Sequence, residues 1–167
     1  MEIKRNFTVD QPIEKVWELL GEQFGQVCTW ASGVHQSEGQ VSSDPSTRTG
    51  GTRACQTDFG QLKERVDVYD PTNHRLTYTA YAGFPFFVDN MQNTWRLSAR
   101  GPRRTEVDIH LMGTMKGFVG KLMGPVMKGQ MGKAMDQVAI DFKTYAETGQ
   151  ASAHKQKELA KRARKAA

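Results

Sequence analysis

The chain has 167 residues, enough for one domain with a real core and too few for two comfortable ones. Its net charge of +5 is uneven: residues 151–167 hold six basic side chains and one acidic, while the other 150 residues hold 17 of each sign. The body is therefore electrically neutral, which argues against a DNA-binding surface. No apolar run approaches the length of a bilayer span, and "MEIKRNFTVD" lacks the apolar centre of a secretory leader.

These features predict an intracellular, cytoplasmic protein, and two cysteines, Cys28 and Cys55, fit a reducing compartment. A disulfide is possible on parity alone. Neither cysteine has a Cys or His at ligand spacing, so no metal is expected. The glycines after Gly117 lack the Lys-Ser/Thr ending of a phosphate loop, and no histidine stands beside a nucleophile.

Taken in chain order, "EIKRNFTVD" alternates Ile3, Arg5, Phe7 and Val9 against polar residues and predicts a strand. Asp10 offers an N-cap. Pro12 and Glu14 suit a first turn, and Val16, Trp17, Leu20 and Phe24 form a helical apolar face ended by Gly25. "QVCTW" predicts a second short helix. Six strand-like runs follow: "SGVHQSEGQ", "GTRACQTD", "QLKERVDVYD", "RLTYTAYAG", "NMQNTWRLSAR" and "RTEVDIHLMGTM". Their separators, among them "SSDPSTRTGG", "PTNH" and "GPR", are turn-rich and short enough for antiparallel hairpins. From Gly117 to Thr148 apolar residues recur at helical steps. Glycines and Pro125 predict an irregular or kinked start, with a firm helix from about Gly132 and a stop at Gly149. The last residues, 150–167, read as a basic extension, solvated and helical or a remnant of cloning. It could touch RNA or anionic lipid.

Strand, helix pair, six-strand meander and long helix together predict one antiparallel sheet covered by the last helix, with a cavity between them. This order resembles the helix-grip fold of the SRPBCC superfamily, which includes START-type lipid-transfer domains and polyketide cyclases. "FTVDQPIEKVWELLGEQFGQVCTW", "GGTRACQT", "LKERVDVYDPTNHRLTYTA", "NTWRL" and "FKTYAETG" carry the resemblance over residues 1–149. It implies an α+β fold in which a curved sheet of about seven strands wraps a long C-terminal helix. It is closest to the polyketide cyclase/dehydrase and lipid-transport branch.

Candidate site residues follow from strand parity. In "QLKERVDVYD" Glu64 shares a face with Leu62, Val66 and Val68, leaving Tyr69 outward. A buried carboxylate must find a partner or take up a proton. A hairpin through Phe59-Gly60 pairs Thr57 with Leu62, Cys55 with Glu64 and Arg53 with Val66, which places Arg53 diagonal to Glu64. A structural ion pair and a ligand-contacting pair both fit. Tyr78, Met91, Asn93 and Trp95 share the inward side of the next strands and would make an apolar wall with hydrogen-bonding tips, although plain core packing also accounts for Trp95. His35 and His110 fall on outward parity, and His74 in a turn. Met112, Met115, Met123, Met127, Met131 and Met135 form a dense methionine region, either core or adaptable pocket. Phe84, Phe86 and Phe87 of "FPFF" suit a lid or an association patch.

Three functions remain open. One is binding of a hydrophobic small molecule (lipid, isoprenoid or polyketide-like) by Arg53, Glu64, Tyr78, Met91, Asn93, Trp95, Met123, Met127 and Met131. A second is a cyclase, aromatase or dehydratase without metal or nucleotide cofactor, with Glu64 as general acid/base and Tyr78 beside it. The third is an interaction protein using the basic tail. The expected partners are a hydrophobic ligand, a membrane at most transiently, and at most a second copy of the chain.

Overall fold

The computed structural model describes residues 1–40 and 49–166. Most of the predicted "SSDPSTRTGG" connection lies outside them. Seven strands form one antiparallel sheet: β1 (Glu2–Val9), β2 (Val34–Gln40), β3 (Thr52–Thr57), β4 (Gly60–Asp70), β5 (Arg75–Ala82), β6 (Val88–Gly101) and β7 (Arg104–Met115). Their order is β1-β7-β6-β5-β4-β3-β2, a meander whose first strand closes against the last. Every strand-like run of the sequence is a strand, and α+β helix-grip is the observed class.

The first helix, α1 (Ile13–Trp17), starts later than Asp10 suggested. Pro12 occupies the cap position, its carbonyl accepting from Lys15 and Val16 backbone N–H groups, with no side-chain cap. Proline's fixed φ suits this entry, and Asp10 instead donates its backbone N–H to Glu147 Oε1. The chain widens into a π-turn over Glu18–Glu22 and tightens into a 3-10 segment over Phe24–Thr29, the predicted second short helix.

The long helix α2 (Gly117–Thr148) is α-helical from its first turn, so the glycine-rich start is not the irregular stretch expected before Gly132. Pro125 is tolerated because it lies exposed, where water can satisfy the carbonyl it leaves unpaired. Gly149 ends the helix in the left-handed region at φ 71°. The two halves of α2 have different surroundings. Phe142 is fully buried in the main core with Trp17, Trp30, Trp95 and Val107, and Met135, Val138 and Tyr145 flank it. A smaller core at the other end joins Ile3, Ala80, Val88, Met91 and Leu111 to Met127 and Met131. Before Met127, Phe118 and Leu122 stand in solvent. Met112, grouped by sequence with the other methionines, also lies exposed, opposite Glu2 and Gln92.

Strand β4 departs from perfect alternation. A register shift against β5 between Val66 and Val68 inserts one residue and reverses the parity beyond it. Tyr69, expected outward, is therefore buried against Trp17, with ring centroids 5.2 Å apart, and Val68 is only half-buried.

The basic extension is not a free solvated helix. It forms α3 (Ala153–Ala166), whose first turns dock on the body. Ser152 caps α3 by accepting from the Lys155 N–H, and its hydroxyl donates to the fully buried Asp141 of α2. Asp141 also accepts from Ser32 N (2.7 Å) and Gln137 Nε2 (2.8 Å). Lys155, wholly buried, donates from Nζ to Val34 O at 2.6 Å and to Glu158 at 3.1 Å. Glu158 accepts from Gly33 N (2.7 Å) and pairs with His35 Nδ1 (3.0 Å). His35, outward by parity, is thus partly covered by α3. Removing residues 150–167 should lower unfolding stability by about 1–3 kcal/mol, because buried polar groups lose their partners. Urea denaturation of the full and truncated chains measures this, and coincident curves would mean that α3 contributes nothing.

Candidate functional site

The hairpin register decides how the polar residues meet. Strands β3 and β4 are joined by the two-residue turn Asp58-Phe59, with Thr57 opposite Gly60 and Cys55 opposite Leu62. Gly60, at φ 115°, lets the chain turn this tightly. The register is two residues tighter than the expected one, so Arg53 lies directly across from Glu64 rather than diagonal to it.

Arg53 and Glu64 are 6% and 7% exposed, a buried pair. Arg53 Nε donates to Glu64 Oε2 at 2.6 Å, and Nη1 donates to the Phe24 carbonyl at 2.6 Å. The guanidinium carbon lies 3.8 Å over the Phe24 ring. Cys55 Sγ donates to the same Glu64 oxygen at 3.4 Å. The 3-10 segment therefore supplies both a carbonyl and an aromatic face to the cation. Burial works against the Arg53 charge, but the adjacent Glu64 carboxylate, with Cys55 and Tyr78, outweighs it and holds the guanidinium above its ordinary pKa.

Tyr78 sits next to this pair, edge-on to Phe24 with centroids 5.3 Å apart. Its hydroxyl accepts from Asn93 Nδ2 at 3.0 Å. Trp95 Nε1 is near enough to lower the Tyr78 pKa slightly but makes no regular hydrogen bond, and Asn93 Oδ1 is also buried without a partner. Burial first, and then the charge of Glu64, nevertheless leave the Tyr78 pKa raised. Between Arg53, Tyr78, Trp95, Leu76 and the 3-10 segment lies a space of about 20 Å³. It is large enough for one water and too small for an organic ligand.

A larger space opens at the β3–β4 turn end of the same strands. Its volume is about 280 Å³, and it lies between Met91, the Gly83–Phe87 connection and α2 residues Met123, Val126, Met127 and Met131, with Phe59 and Leu62 at one side. Gln130 is the one polar side chain among its lining residues. Leu62 stands two residues from Glu64 on β4, and Met91 two from Asn93 on β6. Gly83 is required at the entrance: at φ 97°, a Cβ there would fall 1.9 Å from Gln61 O.

The sequence candidates thus separate into two groups. Arg53, Tyr78 and Trp95 line the small space, with Glu64 and Asn93 behind them as hydrogen-bond partners of Arg53 and Tyr78, while Met91, Met123, Met127 and Met131 line the large one. Sequence reasoning missed Phe59, Leu62, Gly83, Val126 and Gln130. Leu62 was available from its parity with Glu64, and Val126 and Gln130 from their helical spacing with Met123, Met127 and Met131. Among the described residues no cluster of His, Cys, Asp and Glu could hold a metal ion, and no helix is long and apolar enough to cross a membrane.

Two outcomes follow. Arg53→Met leaves Glu64 buried and unpaired and should cost about 3–5 kcal/mol in chemical denaturation, far more than an exposed change such as Arg103→Met. Burial also pushes the Cys55 thiol from 9.0 up to about 12, against the opposing pull of Arg53. The folded state holds this proton where the unfolded chain releases it, so stability is intact below about pH 9 and falls as pH rises toward 12. Tyr78 acts in the same direction. Cys55→Ala should flatten the alkaline limb of a Tm–pH profile, and an unchanged slope would exclude this linkage.

The chain matches the profile described as "Polyketide cyclase / dehydrase and lipid transport" over residues 1–147. No curated protein matches it. Among solved structures, a START superfamily protein from Mycobacterium smegmatis superposes with TM-score 0.70 at 13% identity, covering 87% of this chain and 96% of that one. A Thermobifida fusca protein gives 0.65 at 22% identity, covering 92% and 98%. The Zhui aromatase/cyclase from a Streptomyces species gives 0.66 at 15% identity, covering 91% and 99%. At these identities the likeness is one of fold. With the profile match spanning nearly the whole sheet-and-helix body, the chain belongs to the polyketide cyclase/dehydrase and lipid-transport family.

Proposed function

We propose that this protein binds a small apolar molecule, lipid, isoprenoid or polyketide-like, in the space beneath the Gly83–Phe87 connection. The observation that carries this reading is the 280 Å³ pocket walled by Met91, Met123, Met127, Met131 and Phe87. Its size lies at the lower end of ligand pockets, about 300–1,000 Å³. Affinity would come from apolar burial, about 25 cal/mol for each Å² removed from water. Methionine side chains adapt to guests of varied shape. Gln130 is placed to orient a polar end. Arg53 and Glu64 are engaged with each other and with Phe24, and serve this reading as the fixed floor rather than as ligand contacts.

A proton-transfer enzyme is the second reading. It draws on Asn93 Oδ1 and Trp95 Nε1, buried without partners beside the Tyr78 hydroxyl. For Glu64 or Tyr78 to act, a substrate would have to extend from the apolar pocket past Leu62 and Met91 into the 20 Å³ space.

Met127→Trp should fill the pocket and weaken displacement of anilinonaphthalene sulfonate by a fatty acid at least about tenfold, since over one to two kcal/mol of apolar contact is lost. Glu64→Gln should leave that displacement within about twofold. Native mass spectrometry of protein made in its own host reports the resident molecule. Protein that is always empty and displaces no dye would overturn the binding reading. Uptake that survives Glu64→Gln while turnover of the bound molecule disappears would establish the enzymatic one.

A further inference from the structure

The mouth of the apolar pocket is itself an unusual surface. Phe118 is 81% exposed and Phe86 76% exposed, and Leu122, Val126 and Phe59 are also exposed. Phe118, Leu122 and Val126 follow at four-residue steps, so they form one stripe along α2. The stripe lies in a basic stretch: from Lys116 to Met135 there are four lysines and no Asp or Glu. Lys121 and Lys128 are exposed beside it, and Lys116 pairs loosely with Asp89 at 3.6 Å.

Positive charge borders the mouth on a second side. The Asp58-Phe59 turn separates two spaces. Phe59 lines the apolar pocket, whereas Asp58 lines a solvent-open groove of about 800 Å³ in which Lys157, Lys161 and Arg162 of α3 outnumber the carboxylates Asp58 and Glu158. Exposed apolar side chains interleaved with lysines, on the half of α2 that lies outside the main core, are the composition of an interfacial helix.

We propose that this rim is a docking surface for an anionic lipid bilayer, with Phe86, Phe118 and Leu122 entering the acyl boundary and the lysines resting on the headgroups. This goes beyond the binding of a guest, since the surface would dock whatever the pocket holds. A second copy of the chain is a poorer occupant, because closing two such rims together sets lysine against lysine. A bilayer demands depth and charge rather than a matched shape. It would also let a guest pass from the acyl phase into the pocket without crossing water.

The test is cosedimentation of the full chain with phosphatidylcholine vesicles, with and without phosphatidylglycerol. Binding is expected only with the anionic lipid, and should fall with added salt. Lys121→Gln and Lys128→Gln should each weaken it about fivefold. Leu122→Glu should abolish it while leaving dye binding intact, because Leu122 does not line the pocket. Met127→Trp should do the reverse, so failure of the pocket reading and failure of this one are distinguishable. Three results would overturn the proposal. These are no sedimentation with anionic vesicles, a solution dimer that Leu122→Glu splits, and binding to poly-glutamate as strong as to vesicles and insensitive to Leu122→Glu.

Discussion

The buried Arg53–Glu64 pair joins three elements at one point. It spans β3 and β4 directly, and through Arg53 Nη1 and the Phe24 ring it ties the 3-10 segment to the concave face of the sheet. Two charges removed from water need every hydrogen bond they can find, and breaking such a pair costs more than the pair contributes. Its geometry therefore tolerates little movement in any of the three elements. A one-residue slip of the β3–β4 hairpin would turn one charge outward and strand the other. The tight Asp58-Phe59 turn and the ion pair specify the same register independently, which is the agreement between local and tertiary preference that a well-defined fold requires.

The pair also explains where empty space can and cannot exist. On its side of the sheet, Phe24, Trp30, Tyr78, Trp95 and Phe142 fill the volume almost completely. Two residues along β4 and β6, the wall changes from Glu64 and Asn93 to Leu62 and Met91, and α2 changes from Phe142 and Val138 to Met127, Met131 and glycine. Small and flexible side chains cannot fill the gap between the sheet and this half of the helix. Holding α2 continuous through Pro125 keeps its apolar residues in one stripe at the mouth instead of folding them inward.

Much of this was legible in the sequence. Strand patterning located all seven strands, and it put Arg53, Glu64, Tyr78, Met91, Asn93 and Trp95 on one face. What alternation cannot carry is a break in its own period. Val66 to Val68 shows no glycine or proline, so the shift that buries Tyr69 leaves no local mark, and only the fit of Tyr69 against Trp17 selects it. The fate of α3 was obscured differently. Six basic residues read as a solvated face, yet Lys155 neutralises itself against Glu158 and a carbonyl. The Ser152 cap was there to be read, but its second partner, Asp141, lies on another helix. The glycines of α2 predicted an irregular or kinked start by propensity, which counts about 1 kcal/mol per residue and is readily overridden by context.

The two spaces share strands but differ in what would be needed to enlarge them. The apolar pocket is bounded on one side by the exposed half of α2 and by a loop, elements with little packed against them, so a guest could displace them at small cost. The 20 Å³ space is bounded by Arg53, and opening it would pull the guanidinium off either Glu64 or the Phe24 carbonyl, each removal leaving a buried group unpaired. On the proposed binding reading, a guest would therefore be accommodated first at the methionine end. The unpartnered Asn93 Oδ1 and Trp95 Nε1 mark the direction in which a polar head would gain most by reaching further, since they offer an acceptor and a donor that nothing in the described residues satisfies. Depth of penetration past Leu62 and Met91 is thus the physical variable that would separate the proposed carrier from the alternative catalyst.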